Sequence, residues 1–364
     1  MSATQIYHIV KKAMRQLRPE ERRTRLRVSA WMIVGIYLSK AVHLRKIAGK
    51  IPGAATTNSK IRRLSRFLNN PAVRVREWYE PQARAVLEAA AAHHGGLRLI
   101  VDGSKVGFGH QLLMVGVAYR RRALPIAWTW IKSARGHSSA YKQTALLAYV
   151  KGLIPAQTPV LVVGDSEFGA VEVLKQLDTW QWDYVLRQKS NHLTRLATTT
   201  AWQAFGDLAA GPGSTAWHPN ALLTQKHAYR VNLYVLWQPG YEEPWLLATN
   251  LATPRQARQA YRRRVWIEEM FGDLKGHGFD LESTHLRHFM RLSRLTLLVV
   301  ILYMWLITRG SQVIKWGQRR LVDRADRVDL SIFHIGLSMF ERYITNQQAF
   351  TIRWVPYFRK LSGS

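Results

Sequence analysis

Three apolar, strand-like runs follow one another from Leu97 to Trp130 with short connections: LRLIVDG (97–103), LLMVGVAY (112–119) and ALPIAWTW (123–130). Strands this close in sequence pair as antiparallel neighbours, and Arg120-Arg121-Arg122 reads as the hairpin connection between the last two. The pattern then changes to a helix over 138–152, a buried strand TPVLVVGD (158–165), a helix FGAVEVLKQL (168–177) and a strand WDYVLRQK (182–189). Antiparallel strands followed by alternating helix and strand imply an α/β fold with a mixed sheet flanked by helices. Residues 93–310 are read as this core. Within it, 190–250 turns to Thr, Gly and Ala with short alternating pieces such as YRVNLYVLW and PWLLATN, and reads as a β-rich insertion.

Residues 1–92 read as helical and basic. Inside them, 43–70 has the outline of a helix-turn-helix. Leu44, Ile47, Ala48 and Ile51 form an apolar stripe, Pro52-Gly53 breaks the chain, and a capped second helix carries Lys60, Arg62, Arg63 and Arg66. Such a helix suits DNA, although helix pairs with Pro-Gly turns also occur without it. Residues 311–364 read as a basic tail containing one helix, HIGLSMFERYI. AWMIVGIYL and LTLLVVILYMWLI are shorter than the ~18–20 residues that span a bilayer, so both are expected as buried core helices, with no membrane partner.

With 53 Lys+Arg against 23 Asp+Glu, the net charge is +30, spread over the whole chain. A surface so basic repels itself without a polyanion, which makes nucleic acid the leading partner. The absence of cysteine excludes disulfides, thiolate metal sites and cysteine nucleophiles. No apolar run opens the chain, so a cytoplasmic location is expected.

Two strands end on aspartate: Asp102 in LIVDG and Asp165 in LVVGDSEFG. Either alone reads first as a turn former or helix cap. Together they matter, because neighbouring strands deliver their ends to one edge of a sheet. A third carboxylate comes from YRRRVWIEEMFGDLK (261–275). Thr253 caps this helix, Pro254 suits its first position and Gly276 its end, which predicts one helix of about 22 residues. At about 100° per residue from Tyr261, Arg264 falls near −60°, Glu268 near −20° and Lys275 near −40°, in one stripe. Ile267, Met270, Phe271 and Leu274 form the buried face, while Glu269 and Asp273 are expected to point to solvent. Three carboxylates near one another suit two Mg²⁺ ions, with Mn²⁺ as a substitute, rather than Zn²⁺.

The order Y-x-x-R-x-x-x-E-x-x-x-x-x-x-K, formed by Tyr261, Arg264, Glu268 and Lys275, resembles the YREK signature of bacterial cut-and-paste DDE transposases. IVDGSK and VVGDSEFG look like that group's two aspartate motifs, and the similarity spans about residues 97–290. The resemblance implies an RNase H-like core interrupted by a β-subdomain, with Asp102, Asp165 and Glu268 as the catalytic, metal-binding triad. It also implies nicking of transposon ends, hairpin formation and strand transfer by a homodimer acting on double-stranded terminal inverted repeats and target DNA. Trp245 would stack on the flipped base, and Tyr261, Arg264 and Lys275 would hold the surrounding phosphates. From the residues alone, Trp245 reads equally as a core strand position. A non-catalytic DNA-binding relative and an RNase H-like nuclease without strand transfer stand as alternatives.

Overall fold

The computed structural model describes residues 1–107, 109–132, 138–324, 326 and 328–358. Five helices come first: α1 (Ala3–Leu17), α2 (Arg23–Ser39), α3 (Leu44–Gly49), α4 (Thr57–Asn69) and α5 (Val75–His94). Ser2 and Gln5 form a reciprocal capping box at the start of α1. Thr56 caps α4 by accepting from Ser59 N. Ile47, Ala48 and Ile51 are buried as their spacing implied, and the segment 52–59 beyond them is exposed.

The strands β1 (Leu97–Val106), β2 (His110–Tyr119) and β3 (Arg122–Lys132) form the antiparallel meander expected from their short connections. The hairpin between β2 and β3 is tighter than the sequence suggested. Only Arg120 and Arg121 make the turn, both with left-handed backbone angles (φ 45° and 61°), while Arg122 pairs with Tyr119 as the first residue of β3. After α6 (Ala140–Lys151), β4 (Val160–Gly164) returns parallel to β1. After α7 (Val171–Thr179), β5 (Asp183–Arg187) adds parallel to β4.

The region 190–250 supplies β6 (Leu193–Arg195), β7 (Gln203–Ala204), β8 (Thr215–Leu223), β9 (Tyr229–Leu236) and β10 (Trp245–Thr249). Because β10 pairs antiparallel with β5, the insertion prolongs the core sheet. Ten strands run in the order β3-β2-β1-β4-β5-β10-β9-β8-β6-β7. Strands β1 to β5 form the mixed sheet that the sequence implied.

Four helices complete the chain: α8 (Pro254–Tyr261), α9 (Val265–Leu274), α10 (Phe289–Lys315) and α11 (Ile332–Thr345). The 27-residue α10 is long and apolar enough to cross a membrane, but 83% of its most apolar window is buried inside the protein. It runs through position 311, where a separate tail was expected to begin. Beyond it α11 packs back on the core, crossing α10 so closely that a Cβ on Gly336 would strike the Leu306 carbonyl. Phe350 and Phe358 are buried, and Tyr119 Oη donates to the Tyr357 carbonyl at 2.7 Å. The last positions of the expected tail, 359–364, lie outside the described residues.

Candidate active site

Register brings the two aspartates together. Val101 on β1 lies opposite Gly164 on the parallel β4, so the next residues of the two strands are Asp102 and Asp165. Gly164 permits this approach, since a Cβ there would stand 2.7 Å from Val101 Cγ2. Each aspartate spends one oxygen on its own turn: Asp102 Oδ1 accepts from Gly103 N at 2.8 Å, and Asp165 Oδ1 accepts from Ser166 N as the cap of a short 3₁₀ turn. The capping alternative for Asp165 is therefore realised, and it orients the carboxylate.

The other oxygens converge on one cation. Arg264 Nη2 donates to Asp165 Oδ2 at 3.0 Å and lies 3.3 Å from Asp102 Oδ2, while its Nη1 donates to Glu268 Oε1. Burial pushes the Asp102 carboxyl up to about 7, against the pull of Arg264 and the Gly103 N–H, and the nearby Asp165 and Glu268 add to the rise. Burial opposes the charge on Arg264, but Asp102 and Glu268 hold its guanidinium more firmly protonated than usual.

The helix carrying these groups differs from expectation. Instead of one helix, α8 ends at Tyr261 and α9 starts at Val265. Arg262 N still bonds in i→i−4 fashion to Arg258 O at 3.2 Å, but the next two arginines bond in i→i−3 fashion: Arg263 N to Ala260 O at 3.1 Å and Arg264 N to Tyr261 O at 2.8 Å. A tightened turn separates three adjacent guanidiniums and lets Arg264 reach the aspartates. Arg264 keeps helical angles (φ −55°, ψ −40°) at the head of α9, so the i,i+4 contact to Glu268 survives. Tyr261 and Lys275 leave the stripe. Tyr261 is 4% exposed and packs edge-on against half-buried Trp245, with centroids 4.9 Å apart. Lys275 has left the helix; its Nζ donates to the Lys105 carbonyl at 2.8 Å and pairs with Glu282 at 2.7 Å.

Residues 131–305 match the family model described as the transposase DDE domain. The matched region contains Asp165, Arg264 and Glu268, and Asp102 precedes it. Among solved structures, the cryo-EM structure of a piggyBac transposase synaptic complex with hairpin DNA is similar at 10% identity and a TM-score of 0.47, over 96% of this chain and 80% of that one. No curated protein matches by sequence.

Beside these carboxylates lies a supporting network that the sequence reading missed. Glu167 accepts from Gln111 Nε2 at 2.7 Å and from Ser138 N at 2.6 Å, and Gln143 Nε2 donates to the Glu167 carbonyl at 2.9 Å. It ties the turn bearing Asp165 to β2 and to the start of α6. Its only sequence signal was a second acid within VVGDSEFG.

Asp273 corrects the expected solvent face of α9. It is 1% exposed and paired with Arg122 Nε at 2.6 Å, because α9 packs on β1, β2 and β3 and Arg122 enters beneath it from the hairpin. Glu269 is exposed as expected, and it also pairs with Arg122, at 3.1 Å.

Carboxylate oxygens are hard donors suited to Mg²⁺ or Mn²⁺, and the two Oδ2 atoms already share one cationic group, so the donor set fits a divalent ion. Among the described residues no three His, Asp or Glu side chains form a ready metal cluster; the guanidinium takes the space between the acids. On α4, Arg62, Arg63 and Arg66 are exposed, whereas Lys60 Nζ is tied to the Ile51 carbonyl at 2.6 Å.

Proposed function

We propose that this chain is a transposase that cuts and rejoins DNA through Asp102, Asp165 and Glu268. The observation that carries the reading is a single guanidinium, Arg264, touching carboxylates from β1, the turn after β4 and α9. Three acids far apart in sequence do not converge for packing reasons, since like charges gathered at one place, with Asp102 buried, repel one another and cost free energy unless the site has a use for them. When bound, two Mg²⁺ ions held by these carboxylates would activate water or a 3′-hydroxyl and stabilise the leaving oxygen of a phosphodiester.

The chain's own residues supply the rest. Gly103 N and Ser166 N lock the rotamers of the two aspartates, leaving Oδ2 of each directed into the site. Arg264, once released from the acids, is a fork-shaped donor matched to a backbone phosphate. The arginine face of α4 would grip the transposon end. Trp245, held edge-on by Tyr261, would receive a flipped base during hairpin formation. The reaction is cut-and-paste transposition of an insertion sequence, carried out by two copies of the chain on paired ends.

The test is cleavage of a labelled transposon-end duplex with Mg²⁺. Glu268→Gln should abolish nicking while DNA binding persists, and Glu269→Gln should stay active. Nicking by Glu268→Gln would remove the triad assignment. Trp245→Ala should nick normally and form few hairpins; an unchanged hairpin yield rules out base stacking.

A further inference from the structure

At the N-terminal edge of β1 lies a cavity of about 380 Å³. His93, His94, Arg98, Arg120 and Arg263 line it, with Trp266 in its wall and no carboxylate among the lining residues. Arg120 is brought there by the hairpin in which two successive arginines take left-handed angles, at positions that usually hold Gly, Asn or Asp. Arg263 donates from Nη1 to the Gln259 carbonyl at 2.6 Å, with its guanidinium 5.9 Å above the Trp266 ring. The cations oppose one another: burial and then His93, Arg98, Arg120 and Arg263 lower the proton affinity of His94, and burial and Arg98 lower that of Arg263. Such a concentration of like charge is relieved by a bound anion.

The cavity adjoins the carboxylates by construction. Arg98 and Asp102 lie on the same face of β1, four positions apart, or about 13 Å at ~3.3 Å per residue. Arg263 immediately precedes Arg264. The volume suits one phosphate and one base rather than a duplex.

Resting on the reading of the carboxylates as a DNA-cutting site, we propose that this cavity is a second phosphate site. It holds the backbone of a single DNA strand about four stacked nucleotides from the cut, at ~3.4 Å per nucleotide, with a base against Trp266. Arg98, Arg120 and Arg263 supply the phosphate contacts.

The absence of cysteine makes a direct test available. In the full-length Ala118→Cys variant, one thiol on the cavity wall is offered to transposon-end DNA with a single-stranded flank, without divalent ions. The flank carries a disulfide-activated tether at one of positions one to eight from the cut. Cross-linking should peak near position four and drop at least tenfold when Arg98→Gln and Arg263→Gln are added, while Arg98→Lys with Arg263→Lys retains the peak. Melting curves matched to the parent exclude unfolding as the cause. Equal cross-linking at all positions, or a peak that survives both Gln substitutions, overturns the proposal. So does protection of the introduced thiol by pyrophosphate against a small disulfide reagent without any DNA cross-link, which marks a small-anion pocket. Because no cutting is needed, a positional peak together with active Glu268→Gln would sink the triad and leave the cavity standing; dead Glu268→Gln with no peak does the reverse.

Discussion

Arg264 donates to Asp165 across 99 residues of sequence, and this 3.0 Å contact joins the head of α9 to the end of β4. The same guanidinium touches Asp102 and Glu268, so one cation bridges acids from three elements. The arginine of the tyrosine-arginine-glutamate-lysine series thereby offsets part of the charge of the carboxylates.

Arg264→Gln should therefore destabilise the metal-free protein, by about 2–3 kcal/mol, since it leaves the largely buried Asp102 uncompensated. Chemical denaturation in EDTA measures this loss. Mn²⁺ should then raise the melting temperature of the variant more than that of the parent, because the ion no longer competes with a guanidinium. Equal Mn²⁺ shifts in the two proteins would show that Arg264 and the ion do not share the carboxylates.

The Arg122–Asp273 pair is the second charge contact that anchors α9, with side chains 8% and 1% exposed. Removing one partner strands the other, so Arg122→Met should cost about 3–5 kcal/mol. Replacing both, as Arg122→Met with Asp273→Leu, should recover most of that loss. A double-mutant cycle in urea gives the coupling, and additive losses would mean that the pair is not a unit.

The pH dependence of stability follows from the same pair. Burial pushes the Asp273 carboxyl from 3.8 up to about 6, although Arg122 pulls it down. The folded state thus holds this proton more tightly than the unfolded chain. The resulting contribution is full below pH ~4 and lost as pH rises to ~6, at no more than about 1.4 kcal/mol per pH unit. Asp273→Asn, neutral throughout, should flatten that part of the stability profile; an unaltered slope would place the titration elsewhere.

On α4, replacing the exposed Arg62, Arg63 and Arg66 with Gln should weaken duplex binding with little change in melting temperature. Each lost phosphate contact should reduce the slope of log affinity against log salt by about 0.9. Fluorescence anisotropy over a salt series reads this directly. Lys60→Gln should behave differently, loosening the turn after α3 by removing its bond to the Ile51 carbonyl.

The strands of the core were legible because their signal is local: a period of two, short connections, and turn residues at the boundaries. Asp102 and Asp165 could be paired from sequence because parallel neighbours deliver their ends to one edge. The Glu268–Arg264 contact was legible for a similar reason, since four residues on a helix make one turn. What failed depended on partners distant in the chain. Asp273 looked solvent-facing because its phase lies off the apolar stripe, and nothing near it announces Arg122, 151 residues away. The break at 262–264 carries no proline or glycine, and it forms where Arg264 reaches acids on two strands. Lys275 fell out of line because its helix ended one residue earlier. Local periodicity determined the elements and the acidic motifs; tertiary structure alone decided which charges are buried together, because the free energy of a charge depends on what surrounds it in space.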